Sequence, residues 1–276
     1  MRVRFWGVRG SIPVSGKAYE RFGGETPCIE VLGSGSSSLI IDAGTGLRGL
    51  GNRLAASEPG DIHLLLTHFH WDHILGLPFF RPLYDSRFSI TIHGPTEPEL
   101  IEEALSVLMR QPHFPVPWER IRARLSFMRV PLSGTDIAGF AITAIPLRHP
   151  SPGLGYGLED ESGRFVFLTD NELDAEHDSR MEKYVAFAGK ADLLVHDAEY
   201  TETEYAMRRG WGHSSADRAL GLALSADVRR FALYHHNQDR ADAEVEAMAE
   251  QCRQAAIRTG SSLDCFAAAQ GQEVEF

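Results

Sequence analysis

Residues 62–66 (Ile-His-Leu-Leu-Leu) form an apolar, strand-like run, and directly after it come Thr67, His68, Phe69, His70, Trp71, Asp72 and His73. Four side chains able to hold a metal thus stand within six positions, where the chain leaves a strand. In extended backbone, residues two apart point to the same side, so His68 and His70 can reach one ion. Asp72 and His73 are adjacent, and as the chain turns toward a helix they can aim at a second point nearby. A hard carboxylate with imidazoles suits Zn²⁺, Mn²⁺ or Fe. A solvated loop accounts for one such histidine but poorly for four at this spacing. The chain's 12 histidines stand against 3 cysteines, Cys28, Cys252 and Cys265, too few and too scattered for a disulfide framework or a zinc ribbon. Any metal is therefore held by nitrogen and oxygen.

Apolar runs rich in β-branched and aromatic residues, bounded by Gly, Pro, Asp or Ser, predict the strands. They fall at 3–7, 28–32, 38–41, 62–67, 88–93, 125–130, 140–145, 164–169, 192–196 and 230–234, with a weaker pair at 262–267 and 273–276. Helical periodicity predicts helices over 45–56, 97–109, 179–187, 214–224 and 241–258. Strands dominate the first half and alternate with helices in the second, which implies a two-layer core of sheets with helices outside. The 43% of hydrophobic residues argues against global disorder. With no internal repeat or long linker, residues 1–276 read as a single domain. Residues 111–118 (Gln-Pro-His-Phe-Pro-Val-Pro-Trp) carry three prolines that deny them a helix; they read as a rigid packed loop or as a lid over a ligand pocket. No apolar run approaches the roughly 18 residues of a membrane span. The N-terminus alternates like a strand and lacks the apolar core of a signal peptide, so a cytoplasmic protein is the default expectation. The balance of 27 Lys and Arg against 38 Asp and Glu, a net charge of −11, disfavours non-specific binding to nucleic acid or anionic membranes.

The pattern His-x-His-x-Asp-His after an apolar strand resembles the signature of the metallo-β-lactamase superfamily. Further segments match that family in order: His149 in Leu-Arg-His-Pro, Asp170 closing Phe-Val-Phe-Leu-Thr-Asp, and His235 after Phe-Ala-Leu-Tyr. Asp42-Ala43-Gly44 resembles the family's early structural turn. The resemblance implies an α/β fold, an αββα four-layer sandwich of two mixed β-sheets flanked by helices, with metals at the edge of the sheets. It also implies two divalent metal ions, zinc foremost, with manganese or iron as alternatives. Carried over residue by residue, His68, His70 and His149 would hold one ion. Asp72, His73 and His235 would hold the other, and Asp170 would bridge both. Such a site leaves room for a water between the ions, and the reaction class is metal-assisted hydrolysis.

Two more segments resemble those of tRNA 3′-processing endonucleases and their phosphodiesterase relatives: Val-His-Asp197-Ala, and Gly-His213-Ser-Ser at a helix start. In that group the acid orients the histidine, and the histidine protonates the leaving oxygen. Asp197 and His213 would be that pair, with Asp72 as a further catalytic group. A histidine is suited to donate a proton near neutral pH. Asp197 departs from the endonucleases, which carry Glu there, and no long Gly/Pro- and basic-rich insertion resembles their tRNA-gripping arm. The opening segments 6–13 and 22–28 resemble those of small phosphodiesterases that include cyclic-nucleotide hydrolases. There Arg9, in a glycine-flanked turn, could touch a phosphate. Ser11 and His236 are further candidates for substrate contact, and His236 could exchange roles with its neighbour His235. The expected activity is hydrolysis of a small phosphodiester, a cyclic nucleotide or another cyclic phosphate. The alternatives are an RNA 3′-processing nuclease, a thioesterase or lactam hydrolase, and a non-catalytic metal- or nucleotide-binding module. A small-molecule substrate and a homodimer are expected, without a membrane or a large nucleic acid as partner. Of the other histidines, His63 and His93 read as packing residues, His113 as a loop residue within reach of a ligand, His177 as solvated and His196 as internally hydrogen-bonded.

Overall fold

The computed structural model of the chain describes residues 1–33, 38–174 and 180–276. In chain order the strands are β1 (Arg2–Gly7), β2 (Cys28–Leu32), β3 (Ser38–Ile41), β4 (Asp61–Leu65), β5 (Ser89–Gly94), β6 (Arg124–Arg129), β7 (Thr135–Ile137), β8 (Phe140–Pro146), β9 (Leu154–Asp160), β10 (Gly163–Leu168), β11 (Leu193–Asp197), β12 (Arg230–Tyr234), β13 (Asp264–Ala267) and β14 (Glu273–Glu275). The helices are α1 (Gly46–Ala55), α2 (Trp71–Ile74), α3 (Pro98–Ser106), α4 (Met181–Ala188), α5 (Glu202–Arg208), α6 (Ala216–Ser225) and α7 (Asp242–Arg258). One sheet has the order β14-β1-β2-β3-β4-β5-β6 and the other β13-β12-β11-β10-β9-β8-β7. Both are mixed. Strands β3 to β6 run parallel, as do β10 to β13, while the remaining neighbours are antiparallel.

The period-2 alternation of side chains sorts the apolar runs into layers. Leu39 and Ile41 of β3, Phe165 and Phe167 of β10, and Ala232 and Tyr234 of β12 face the space between the sheets. Ile40 points outward, under Leu47 and Leu50 of α1 and Ile101 of α3. On the other sheet Val166, Phe231 and Leu233 point outward, under Tyr184 of α4, Ala219 and Leu222 of α6, and Met248 of α7. Continuous apolar strands are what burial on both faces requires, and the result is the expected αββα sandwich.

Three elements escaped the sequence reading. Strand β9 (Leu-Gly-Tyr-Gly-Leu-Glu-Asp) carries two glycines that mask its strand character. Both fill tight places: a Cβ on Gly155 would lie 2.3 Å from the Leu168 side chain, and one on Gly157 2.6 Å from Thr143 Oγ1. Strand β7 has only three residues. Helix α5 has seven, but its capping box was legible as Thr-Glu-Thr-Glu, with Thr201 and Glu204 exchanging hydrogen bonds. The helix expected over 179–187 is observed from Met181 to Ala188; Ser179 and His177 lie outside the described residues. In the 111–118 loop, Phe114 meets Phe79 edge-on, and Trp118 stacks with Phe127 while donating to Glu102. No helix among the described residues is long and apolar enough to cross a membrane.

Candidate metal centre

The clustered side chains all follow the C-terminal ends of strands: Asp42 after β3, His68 to His73 after β4, His149 after β8, Asp170 after β10 and His235 after β12. In open α/β sheets that edge is where ligands bind. Three of these residues, Asp42 (φ 62°), Asp170 (φ 50°) and His235 (φ 56°), have left-handed backbone. Non-glycine residues rarely adopt it, and such strain gathers at functional sites. Here it turns the chain sharply just past the strand.

Oxygen atoms pin the outer nitrogens of the histidines and so aim the inner ones. Asp42 Oδ2 accepts the His73 Nδ1 proton at 2.8 Å. Thr67 donates its hydroxyl and its amide to Asp42, so the His68 Nδ1 proton goes to Thr67 Oγ1 at 3.0 Å. His149 Nδ1 donates to the Ser151 carbonyl at 3.1 Å, and His235 Nδ1 to Glu199 Oε2 at 3.0 Å. These partners fix the tautomer and leave Nε2 for an ion, as supporting shells of metal sites do. His70 is the reverse case: its Nε2 meets Ser151 Oγ at 2.9 Å, which leaves Nδ1.

The inner atoms converge on Asp170. Its Oδ2 lies 3.5 Å from His68 Nε2 and 3.9 Å from His149 Nε2, while its Oδ1 lies 3.2 Å from His73 Nε2 and 3.4 Å from His235 Nε2. One carboxylate therefore faces both groups, a different oxygen to each. Asp72 Oδ2 stands 3.1 Å from His235 Nε2 and 3.3 Å from His73 Nε2, and is oriented by the Ser11 amide at 2.8 Å. The potential ligand atoms of His68, His70, His149 and Asp170 all lie within 4.8 Å of one another, as do those of Asp72, His73 and His235, and those of an overlapping third set, Asp170, His213 and His235.

The residues fit cations. His68 Nε2 and His73 Nε2 are buried without a hydrogen-bond partner among the described residues, and buried polar atoms without partners are costly unless something else satisfies them. Burial works against the charge of Asp170, but His235 and His73 outweigh it and hold this carboxyl well below the usual range. Burial and the neighbouring His73 push His68 well down, so this ring is neutral and can offer a lone pair. An all-nitrogen-and-oxygen donor set in two groups suits two divalent ions, zinc, manganese or iron.

Beside this centre, His213 packs parallel to His235 with ring centroids 4.9 Å apart. Its Nδ1 is 3.4 Å from Glu199 Oε2 and 3.6 Å from Asp197 Oδ2. Burial opposes its proton, but Glu199, Asp197 and Asp170 outweigh that and raise it to about 9. Asp197 also accepts the Asn171 amide at 2.9 Å and the Ser214 amide at 3.0 Å, so it ties the loops together. Glu199, which sequence reasoning missed, touches both His213 and His235. Its signal was its position two residues beyond Asp197, where alternation puts both on one side. Glycines give these rings room: a Cβ on Gly10 would meet the His235 ring at 2.3 Å, and one on Gly212 (φ 94°) the His149 ring at 2.2 Å.

Two proposed substrate contacts are corrected. Arg9 is fully buried, and its guanidinium donates to the carbonyls of Gly23 at 2.8 Å, Asn237 at 3.2 Å and Arg240 at 2.8 Å. The glycine-flanked turn points it into the molecule, where it stitches loops that a phosphate does not reach. His236 is also buried; its Nε2 donates to the Ala268 carbonyl at 2.8 Å, while its ring packs against Phe22. Alternation along the chain sends it away from its neighbour His235. Ser11 stays at the centre, through its amide rather than its hydroxyl. His196 is internal as expected, between the Asp197 carbonyl and Asn171. His63 and His93 sit on neighbouring strands with ring nitrogens 3.1 Å apart. Replacing Arg9 by Met is therefore expected to cost about 3 kcal/mol or more of stability by urea unfolding, since it strands buried carbonyls and Asp242. Metal content of the folded fraction should not change; loss of turnover at full stability would restore Arg9 as a substrate contact.

A family profile described as the β-lactamase superfamily domain matches residues 38–236. Ribonuclease Z of Haloferax volcanii is 28% identical over 322 aligned positions, covering 100% of this chain and 95% of that protein. Among solved structures, the metallo-β-lactamase fold protein YhfI from Bacillus subtilis superposes with a TM-score of 0.73 at 18% identity, covering 100% of this chain and 99% of that one. Human tRNase Z, short form, superposes with a TM-score of 0.66 at 19% identity, covering 100% and 99%. These relatives overturn the expectation that a large nucleic acid is excluded as partner. That expectation rested on the lack of an insertion resembling the tRNA-gripping arm and on net charge, which is a sum over the whole surface and governs non-specific attraction; recognition of a polyanion is decided by the local field at the site. The family match runs through every strand-end group from β3 to His235, and with the paired clusters of histidine and aspartate it makes the chain a metal-dependent hydrolase that belongs to the metallo-β-lactamase superfamily.

Proposed function

We propose that this protein is a dinuclear metal-dependent nuclease that hydrolyses a phosphodiester bond in RNA, and that residues 1–276 act as one hydrolase domain. The observation that carries the reading is His213, whose Nδ1 faces Glu199 at 3.4 Å and Asp197 at 3.6 Å and whose ring stacks beside His235. Expelling an alkoxide from phosphorus needs a proton donor next to the ions; hydrolysis of a thioester or a lactam has less need of this pair. The end-to-end likeness to ribonuclease Z proteins supports RNA as the substrate class. The pairing of β14 with β1, which brings both chain ends into one sheet, supports a single domain.

In this reading His68, His70 and His149 would hold one ion and Asp72, His73 and His235 the other, with Asp170 facing both groups. Two divalent ions bound there supply a water acidified toward neutral pH and shield the charge of the phosphate. The chain's own residues do the rest. Glu199 and Asp197 keep a proton on His213 Nδ1 and fix the ring. His213 Nε2 gives its proton to the departing oxygen as the phosphorus–oxygen bond to it breaks and the oxygen of a water bonds to phosphorus; that water releases one proton to solvent, and solvent returns one to His213. Asp42 and Thr67 hold the histidine rings while this happens.

The test is a substrate panel on the metal-loaded protein: a structured RNA with a 3′ extension, 2′,3′- and 3′,5′-cyclic nucleotides, S-lactoylglutathione and nitrocefin. Cleavage of the RNA with kcat/KM well above all others is expected. Faster hydrolysis of a cyclic nucleotide than of RNA would overturn the nuclease reading.

A further inference from the structure

A cavity of about 350 Å³ opens beside His213, between Ser11, Tyr200, Arg208, Trp211 and Gln238. Pockets for small ligands begin at roughly this size. Trp211 is 63% exposed although it is only two residues from His213. An indole left in water at the mouth of a site is a stacking platform in search of a flat partner. Arg208 lies with its guanidinium 5.3 Å from the centre of the Tyr200 ring, and its Nη1 has no hydrogen-bond partner among the described residues. Gln238 Oε1 likewise has none. Of the three acids that line the cavity, Glu199 and Glu204 are engaged within the protein, and the exposed Asp239 accepts from Gln238 Nε2 at 3.2 Å. Glu204 accepts from Thr201 and Arg240, and Glu199 from His235 and Asn237. Arg208 is thus the cation left for an anion, next to an aromatic face and an amide.

We propose that this cavity is the subsite for the nucleotide whose oxygen leaves, with its base stacked on Trp211 and its distal phosphate on Arg208. The proposal rests on the phosphodiesterase reading of His213. A histidine that protonates a departing oxygen must border the space into which that group departs, and His213 lines this cavity. The ligand class is therefore a nucleoside monophosphate, recognised by one stacked base and one phosphate, with Gln238 positioned to meet the edge of the base.

The experiment is a titration of the metal-loaded protein with AMP, read by tryptophan fluorescence in saturating inorganic phosphate so that the metal centre is occupied. Saturable quenching is expected from AMP, while ribose 5-phosphate gives none. Trp211→Ala should abolish the quenching and weaken AMP binding, measured by calorimetry, by about 10- to 100-fold, the worth of one stacked base. Arg208→Gln should weaken AMP but not adenosine. Trp118→Phe, far from the cavity, should keep the signal. AMP binding to Trp211→Ala and Arg208→Gln at wild-type affinity overturns the subsite, whatever the RNA assay shows. If AMP binds as expected and the same preparation cleaves no RNA, the subsite stands and the substrate reading falls.

Discussion

Asp170→Ala is expected to leave a folded protein that retains neither ion and has lost phosphodiester hydrolysis. Its two oxygens divide between the two groups, Oδ2 toward His68 and His149 and Oδ1 toward His73 and His235, all within 3.9 Å. Removing it takes the shared anion from both positions at once and leaves buried imidazoles facing one another. Losing a group that merely supports a ligand costs roughly 10- to 100-fold in metal affinity or activity, so losing this one should cost more than that in each. Asp170→Asn keeps the shape but removes the charge, and it should retain less metal than wild type and more than the alanine variant. Elemental analysis after gel filtration gives the metal content of the three proteins side by side. Because ions bind the native state and not the unfolded chain, thermal unfolding gives a second reading, with the midpoint of Asp170→Ala near that of chelator-treated wild type. Undiminished metal in Asp170→Ala would remove Asp170 from the bridging position.

What the sequence disclosed and what it hid follow one physical line. The sandwich was legible because strands buried on both faces must be continuously apolar, as Phe165 to Leu168 and Phe231 to Tyr234 are. The candidate ligands were legible because strand ends bring them together, and strand ends are local features. Direction across a turn is not local. Arg9 and His236 were read as facing substrate, yet both face inward, since the sign of a turn depends on what the turn packs against. The left-handed bends at Asp42, Asp170 and His235 were invisible for the same reason. Strand β9 was hidden because Gly155 and Gly157 serve packing against Leu168 and Thr143 rather than strand propensity. Glu199 was overlooked beside a better-matched Asp197, although it approaches His213 more closely. Net charge was no ground against a polyanionic partner, because it sums over the whole surface while recognition rests on the local field.

His213→Ala is expected to separate proton donation from metal binding. Its imidazole is held by Glu199 and Asp197 and stacks on His235, but Asp197 keeps the amides of Asn171 and Ser214, and Glu199 keeps His235 and Asn237. The loop and the ligands should therefore survive its loss, and metal content should equal that of wild type. On RNA, where an alkoxide must leave, kcat should fall by about 10²- to 10⁴-fold, the range for removing a general acid. On bis(p-nitrophenyl) phosphate the leaving group is acidic enough to depart unprotonated, so the loss there should be far smaller. The contrast between the two substrates is what a structural role cannot imitate, since a disturbed metal centre lowers both rates together. Equal losses on both, with metal reduced, would make His213 a support of the centre. Undiminished turnover on RNA would mean that the proton comes from elsewhere, and the cavity beside His213 would no longer be the way out for the departing group.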